Sequence, residues 1–163
     1  MINGYIPAAR FLPFLSWTDV AALPDKSNTV IVLPTGAIEQ HGPHLPCSVD
    51  SVISSGVAGH ALARLPAAIP AYAIPPIVYG KSEEHLHFPG TLTLSGDTLL
   101  HTLLEIAESL YRAGFRKLLM INGHGGQPQI LQIACREMRL RHGDFIAIPH
   151  DVFNVPNCEK QFL

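Results

Sequence analysis

Short branched apolar runs alternate with helix-patterned segments along the whole chain, and this alternation constrains the fold most. Thr29 to Leu33, Ala71 to Tyr79, Lys117 to Ile121 and Phe145 to Ile148 read as strands. Between them lie three helical patterns: Asp50 to Leu65, Asp97 to Ala113, and about Pro128 to Arg141. In the first, Val52, Ile53, Val57, Ala61, Leu62 and Leu65 give an expected apolar stripe. In the second, Leu99, Leu103, Ile106 and Leu110 share one face, and Gly114 stands where a C-cap glycine belongs. Such alternation favours an α/β fold with a mostly parallel sheet covered on both faces. Pro75 and Pro76 put the second strand near an edge or at a bend. Trp17 to Leu23 suits a short helix with Ser16 as N-cap. Residues 1–16, apolar and proline-bearing, are expected to lie across the domain surface or another subunit.

In an open parallel sheet, ligands gather at the carboxyl ends of the strands. Three polar, glycine-containing loops fall there. The first, after Thr29 to Leu33, carries Glu39, His41 and Asp50. Glu39 and His41 are two apart, so in extended chain they share a side. Pro34, Gly36, Gly42, Pro43 and Pro46 limit the backbone around them. Carboxylate, imidazole and carboxylate on a stiff loop suit a metal ion. They also suit a helix-capping Asp50 beside a surface pair. His44 reads as a loop histidine or an orienting partner, and Cys47 as a small apolar spectator.

The second loop, Gly80 to Gly90, holds Glu83, Glu84, His85 and His87. His85 or His87 could shuttle a proton. The third, Asn122 to Gly126, sets His124 between glycines, where a ligand can approach closely. Those glycines could also cradle a phosphate at the next helix, although the spacing fits neither G-x-G-x-x-G nor a P-loop. Or His124 is a turn residue.

Composition narrows the classes. Nine histidines stand against eleven Lys plus Arg, at a formal net charge of -2. There is no basic stripe for nucleic acid and no run of ~20 apolar residues for a membrane span. The start of the chain lacks the pattern of a signal peptide. Cys47, Cys135 and Cys158 are odd in number and far apart, which reads as free thiols in a reducing, cytoplasmic setting.

Leu33-Pro-Thr-Gly-Ala-Ile-Glu-Gln-His-Gly-Pro-His-Leu-Pro46 with Asp50 resembles the signature of the creatininase (creatinine amidohydrolase) family. So do Tyr79-Gly-Lys-Ser-Glu-Glu-His85 leading into Phe88-Pro-Gly-Thr-Leu-Thr-Leu94, and Asn122-Gly-His-Gly-Gly126. The three motifs keep the family's order and spacing across about residues 29 to 130. The resemblance implies a three-layer α/β/α fold and a two-metal site holding zinc, manganese or iron. It implies hydrolysis of a non-peptide C–N amide bond, cyclic or formyl, in a small-molecule substrate. It also implies a homo-oligomer, often a hexamer. By motif position, Glu39 and His124 would hold one ion and His41 the other, with Asp50 bridging both. His85 is the candidate proton donor to the leaving nitrogen.

The match has gaps. The family uses a further glutamate for the second ion, the one that His41 would hold with Asp50; in creatinine-hydrolysing members it lies two residues after the histidine of the third motif. Here that position is Gly126, which argues against creatinine as substrate. Other members supply a glutamate from their C-terminal part, and this chain stops before it. Beyond Asp151 the only acid is Glu159. Residues 1–163 thus read as a single creatininase-like domain lacking the family's C-terminal part. The alternative to an active amidohydrolase is a non-catalytic or weakly active truncated member, serving as a metal-binding or oligomerising subunit.

Overall fold

The computed structural model describes residues 2–154, so Cys158 and Glu159 lie outside the described residues. Four strands form one sheet: β1 (Val30–Thr35), β2 (Ala71–Ala73), β3 (Lys117–Asn122) and β4 (Ile146–Asp151). Their order is β2-β1-β3-β4 and every pairing is parallel. The helices are α1 (Trp17–Ala22), α2 (Val49–Arg64), α3 (Gly96–Arg112) and α4 (Pro128–Arg141). Ser16 closes a capping box with Asp19 at the start of α1. Gly114 takes a positive φ of 98° just past α3, as a C-cap glycine should.

The strands are covered on both faces, which gives the expected three layers. On one face Ile31, Leu33, Leu118, Met120 and Ala147 pack against Leu99, Leu103 and Ala107 of α3 and Leu131, Ala134 and Met138 of α4. On the other, Val32, Ala71, Ala73 and Ile121 pack against Ala58 and Leu62 of α2. Neighbouring strand residues point to opposite faces, so Ile31 and Val32 belong to different cores.

The structure departs from the sequence reading in three places. First, β2 stops at Ala73, because Pro75 and Pro76 cannot extend a ladder; only an isolated bridge between Thr35 and Ile77 follows. It is an edge strand, as the prolines require. That early stop also lets central β1 carry Pro34, since the missing N–H faces the side that β2 has left. Second, residues before Ser16 do more than cross the surface: Ile6 and Phe11 are fully buried against α2 and β2. Third, the stripe expected on α2 is largely turned outward. Val52, Ile53 and Val57 are exposed, and the inner face is Ser51, Ser54, Ala58, Gly59 and Leu62. The cause is close approach: a Cβ on Gly59 would collide with the Tyr5 carbonyl, so only small side chains fit on that side of the helix.

Candidate metal centre

The same close approach seats the first turn of α2. Gly36 lies just past β1, and a Cβ there would fall 2.5 Å from Ser51 Cα and 2.6 Å from Ser51 N. Gly123, just past β3, is likewise closed off by the Asp50 carbonyl and Ser54. Ser51 Oγ donates toward the carbonyls of Ala37, at 3.0 Å, and Val78, at 3.1 Å. Asp50 is thereby held between the loops that follow β1 and β3.

The four expected ligands meet at this point. Asp50 Oδ1 is 2.9 Å from His41 Nε2, and Asp50 Oδ2 is 2.9 Å from His124 Nδ1. Glu39 Oε1 is 3.4 Å from the same His124 nitrogen. Glu39, Asp50 and His124 are buried, while His41 is half-buried. Backbone carbonyls orient both rings. His41 Nδ1 faces the Glu39 carbonyl at 3.2 Å, and His124 Nε2 faces the Lys81 carbonyl at 2.8 Å. A carbonyl only accepts, so those nitrogens carry the hydrogens. In a neutral ring the other nitrogen then turns its lone pair toward an Asp50 oxygen.

Lone pair against carboxylate is stable only with a proton or a cation between them. Burial disfavours a charged His124, but the Asp50 carboxylate, the Lys81 carbonyl and Glu39 outweigh it and raise the pKa of the ring above the ordinary histidine value. Two carboxylate oxygens, Glu39 Oε2 and Asp50 Oδ2, are buried without a hydrogen bond. Such orphaned acceptors are costly unless something positive meets them. Mixed carboxylate and imidazole donors suit zinc or manganese. Two sets of donor atoms each lie within 4.8 Å of one another: Glu39, His41 and Asp50, and Glu39, Glu84 and His124. The residues present therefore fit divalent ions.

The loop after β2 supplies the rim. Glu83–His85 form one 3-10 turn. Gln40 Nε2 donates to His85 Nδ1 at 3.2 Å, which leaves Nε2 carrying the hydrogen, 3.8 Å from Glu39 Oε1. The candidate proton donor thus stands beside the ligands. Glu84 also reaches them, although nothing in the sequence separates it from its neighbours. Glu83 instead pairs with Lys81 at 3.2 Å. His44 and His87 are exposed and Cys47 is a half-buried free thiol; none of the three joins either donor set.

Buried amides tie the three loops together. Asn122 Nδ2 donates to the His124 carbonyl at 2.8 Å and to Asp151 Oδ1 at 2.7 Å. Gln127 Nε2 donates to Asn122 Oδ1 at 3.0 Å, and Gln127 Oε1 accepts from Lys81 N at 3.2 Å. The sequence reading missed Gln127; its one signal is a position just after the glycine loop. The phosphate-cradle reading loses two of its loop donors and the first helical one here. The amides of Gly123 and His124 are bonded to Thr35 O, at 2.9 Å, and Asn122 Oδ1, at 3.2 Å, and α4 opens on Pro128, which has no N–H.

The chain resembles known proteins over most of its length. The family model described as "Creatininase: Creatinine amidohydrolase" matches residues 13–162. The mycofactocin precursor peptide peptidase of Mycolicibacterium smegmatis is 36% identical over 125 residues, covering 76% of this chain and 50% of that protein. The creatinine amidohydrolase of Pseudomonas putida is 34% identical over 138 residues, covering 79% and 52%. A solved manganese creatininase superposes with a TM-score of 0.79 at 31% identity, covering 94% of this chain and 63% of that one. A Zn-Zn type creatininase mutant gives 0.77 at 30% identity, covering 93% and 62%. The chain spans about half the length of the curated relatives it matches.

Proposed function

Because this chain belongs to the creatininase family, we propose that it serves a metal-dependent amidohydrolase that cleaves a C–N amide bond with two bound divalent ions. Glu39, His41, Asp50 and His124 would hold the ions, with Asp50 contributing to both, and His85 would be the proton donor. One observation carries the reading: the two oxygens of buried Asp50 face two imidazoles that backbone carbonyls hold with their lone pairs inward. Zinc, manganese or iron bound here would polarise an amide carbonyl and acidify a water.

The chain's own residues do the rest. Glu39 and Asp50 bring the negative charge that two cations need side by side. Lys81 and Glu39 carbonyls fix the ring orientations, so little reorganisation accompanies binding. His85 Nε2–H faces the site, and the ring, once it holds a second proton taken up during attack by water, would pass one to the departing nitrogen and return to its neutral form. Gln40 holds the other side of that ring.

The substrate is placed among small cyclic or formyl amides. The names of the curated relatives span creatinine and a precursor peptide, so the panel that tests this includes short peptides. Amine release from formamides, lactams, cyclic ureas and peptides is followed with zinc- or manganese-loaded protein. Turnover of a non-peptide amide, abolished by chelator and by Asp50→Ala, is the expected result. Two tightly bound ions with no amine released from any of these would contradict it.

A second reading rests on Gly126, which offers no carboxylate: a metal-binding subunit with little turnover. It predicts ion uptake without hydrolysis. Assembly into a homo-oligomer, up to a hexamer, belongs to either reading; sedimentation of the full chain as a monomer at micromolar concentration would exclude it. No helix among the described residues is long and apolar enough to cross a membrane. We place the protein in the cytoplasm, a reading that fractionation tests.

A further inference from the structure

Gly126 has no room for a side chain. A Cβ there would meet Glu84 Oε1, His124 Nε2 and the Lys81 carbonyl, all closer than 3.0 Å. The space next to His124 that a residue at 126 would use is filled by the Glu84 carboxylate, which arrives from the loop after β2. Glu84 places an oxygen within 4.8 Å of donor atoms on both Glu39 and His124. Its neighbour Lys81 gives its ammonium to Glu83 instead. Three carboxylates, Glu39, Asp50 and Glu84, therefore crowd one imidazole. Glu39 Oε2 and Asp50 Oδ2 are buried among them without a hydrogen bond. Like charges this close repel unless a cation or protons lie between them.

We propose that Glu84 is a ligand of the ion held by Glu39 and His124, in the space that Gly126 leaves open beside that imidazole. The inference rests on the metal-centre reading above and assigns it one more ligand. A solvated Glu84 is the ordinary alternative, since the residue is exposed on a short 3-10 turn. An exposed glutamate that merely pointed outward would have no reason to sit against the ring of buried His124.

Equilibrium dialysis of the full chain against Mn²⁺, and separately Zn²⁺, with elemental analysis of the retained protein, tests this without reference to activity. Glu84→Gln keeps the shape and removes the charge. Glu83→Gln serves as the neighbouring control and Asp50→Ala as the positive one, with circular dichroism to show that each is folded. Glu84→Gln is expected to weaken one ion by at least about 10- to 100-fold. Glu83→Gln is expected to leave both unchanged. Wild-type affinity in Glu84→Gln, beside loss of both ions in Asp50→Ala, would overturn the assignment of Glu84 and leave the metal centre standing. A wild-type chain that retains neither metal would overturn both.

Discussion

Asp50 Oδ2 and His124 Nδ1 stand 2.9 Å apart, yet that oxygen closes no hydrogen bond. The Lys81 carbonyl takes the N–H of the ring, so a lone pair meets an anion inside the protein. A second proton on the ring or a cation resolves that conflict, and so does an amide. Asp50→Asn can present an N–H to one imidazole while dropping the buried charge. At a pH where the ring is neutral it should raise the stability of the metal-free chain by about 1 kcal/mol, and it should weaken divalent-ion binding at least about 10-fold. Thermal melts with and without Zn²⁺ read both signs; a variant that melts lower without metal would contradict this account.

Gly36→Ala should disturb the site from a distance. Its Cβ would collide with Ser51 backbone atoms 2.5 and 2.6 Å away, which cannot swing aside as a side chain could. Overpacking of this kind costs about 1–3 kcal/mol. The first turn of α2 would shift and carry Asp50 with it. Urea denaturation should show the loss, and metal titration should show weaker binding in the same variant. Gly56→Ala, in the interior of α2 where a Cβ meets nothing within 4 Å, is the control expected to leave metal binding unchanged and to raise stability by about 0.4–1 kcal/mol.

Gln127 is 1% exposed and joins Asn122, Lys81 and Gly36. Gln127→Ala would leave the Lys81 N–H without its partner, while Asn122 Oδ1 keeps the His124 N–H. Buried unsatisfied groups cost about 1–3 kcal/mol each. Chemical denaturation should detect a loss of that order. Because the Lys81 carbonyl orients His124, metal affinity should fall as well.

The three loops converge because all four strands run parallel, and that much was legible in the sequence. Apolar runs, helical periods and the order of the polar loops were enough to place Glu39, His41, Asp50 and His124 on one sheet edge. The inner face of α2 was not legible. A helix that must approach two glycine loops buries serines, alanine and glycine, and leaves Val52, Ile53 and Val57 outside. A hydrophobic period reports burial by ordinary packing, not by backbone contact. Glu84 and Gln127 were hidden for another reason. Their roles come from residues 40 or more positions away, Glu84 over Gly126 and Gln127 under Lys81, and local pattern does not record such contacts.

A surface pair away from the site gives a pH prediction. The hydrogen bond from His142 to Glu108, 2.9 Å long, lowers the Glu108 pKa below the ordinary glutamate value, with Arg141 adding to it and slight burial opposing. A depressed carboxylate pKa contributes stability that is present above the unfolded-state value and is lost as pH falls through the folded one. Carboxyl-carbon NMR titration should show Glu108 titrating below 4.5. In His142→Ala its midpoint should move up.

Cys135 should be inert. Burial pushes its thiol up to about 11, with Arg139 opposing only weakly. Folded protein treated with iodoacetamide at pH 8 should yield an unmodified Cys135 peptide by mass spectrometry, while half-buried Cys47 is alkylated. Modification of Cys135 in the folded chain at the rate of Cys47 would show that the α4 core opens readily.

Anomalous diffraction from crystals soaked in Zn²⁺, collected on both sides of the zinc edge, tests the central claim most directly. One peak is expected bounded by Glu39, Asp50 and His124, and a second beside His41, sharing Asp50. Ordered Glu39, His41, Asp50 and His124 side chains with no peak among them, at a Zn²⁺ concentration that fills surface sites elsewhere, would contradict it.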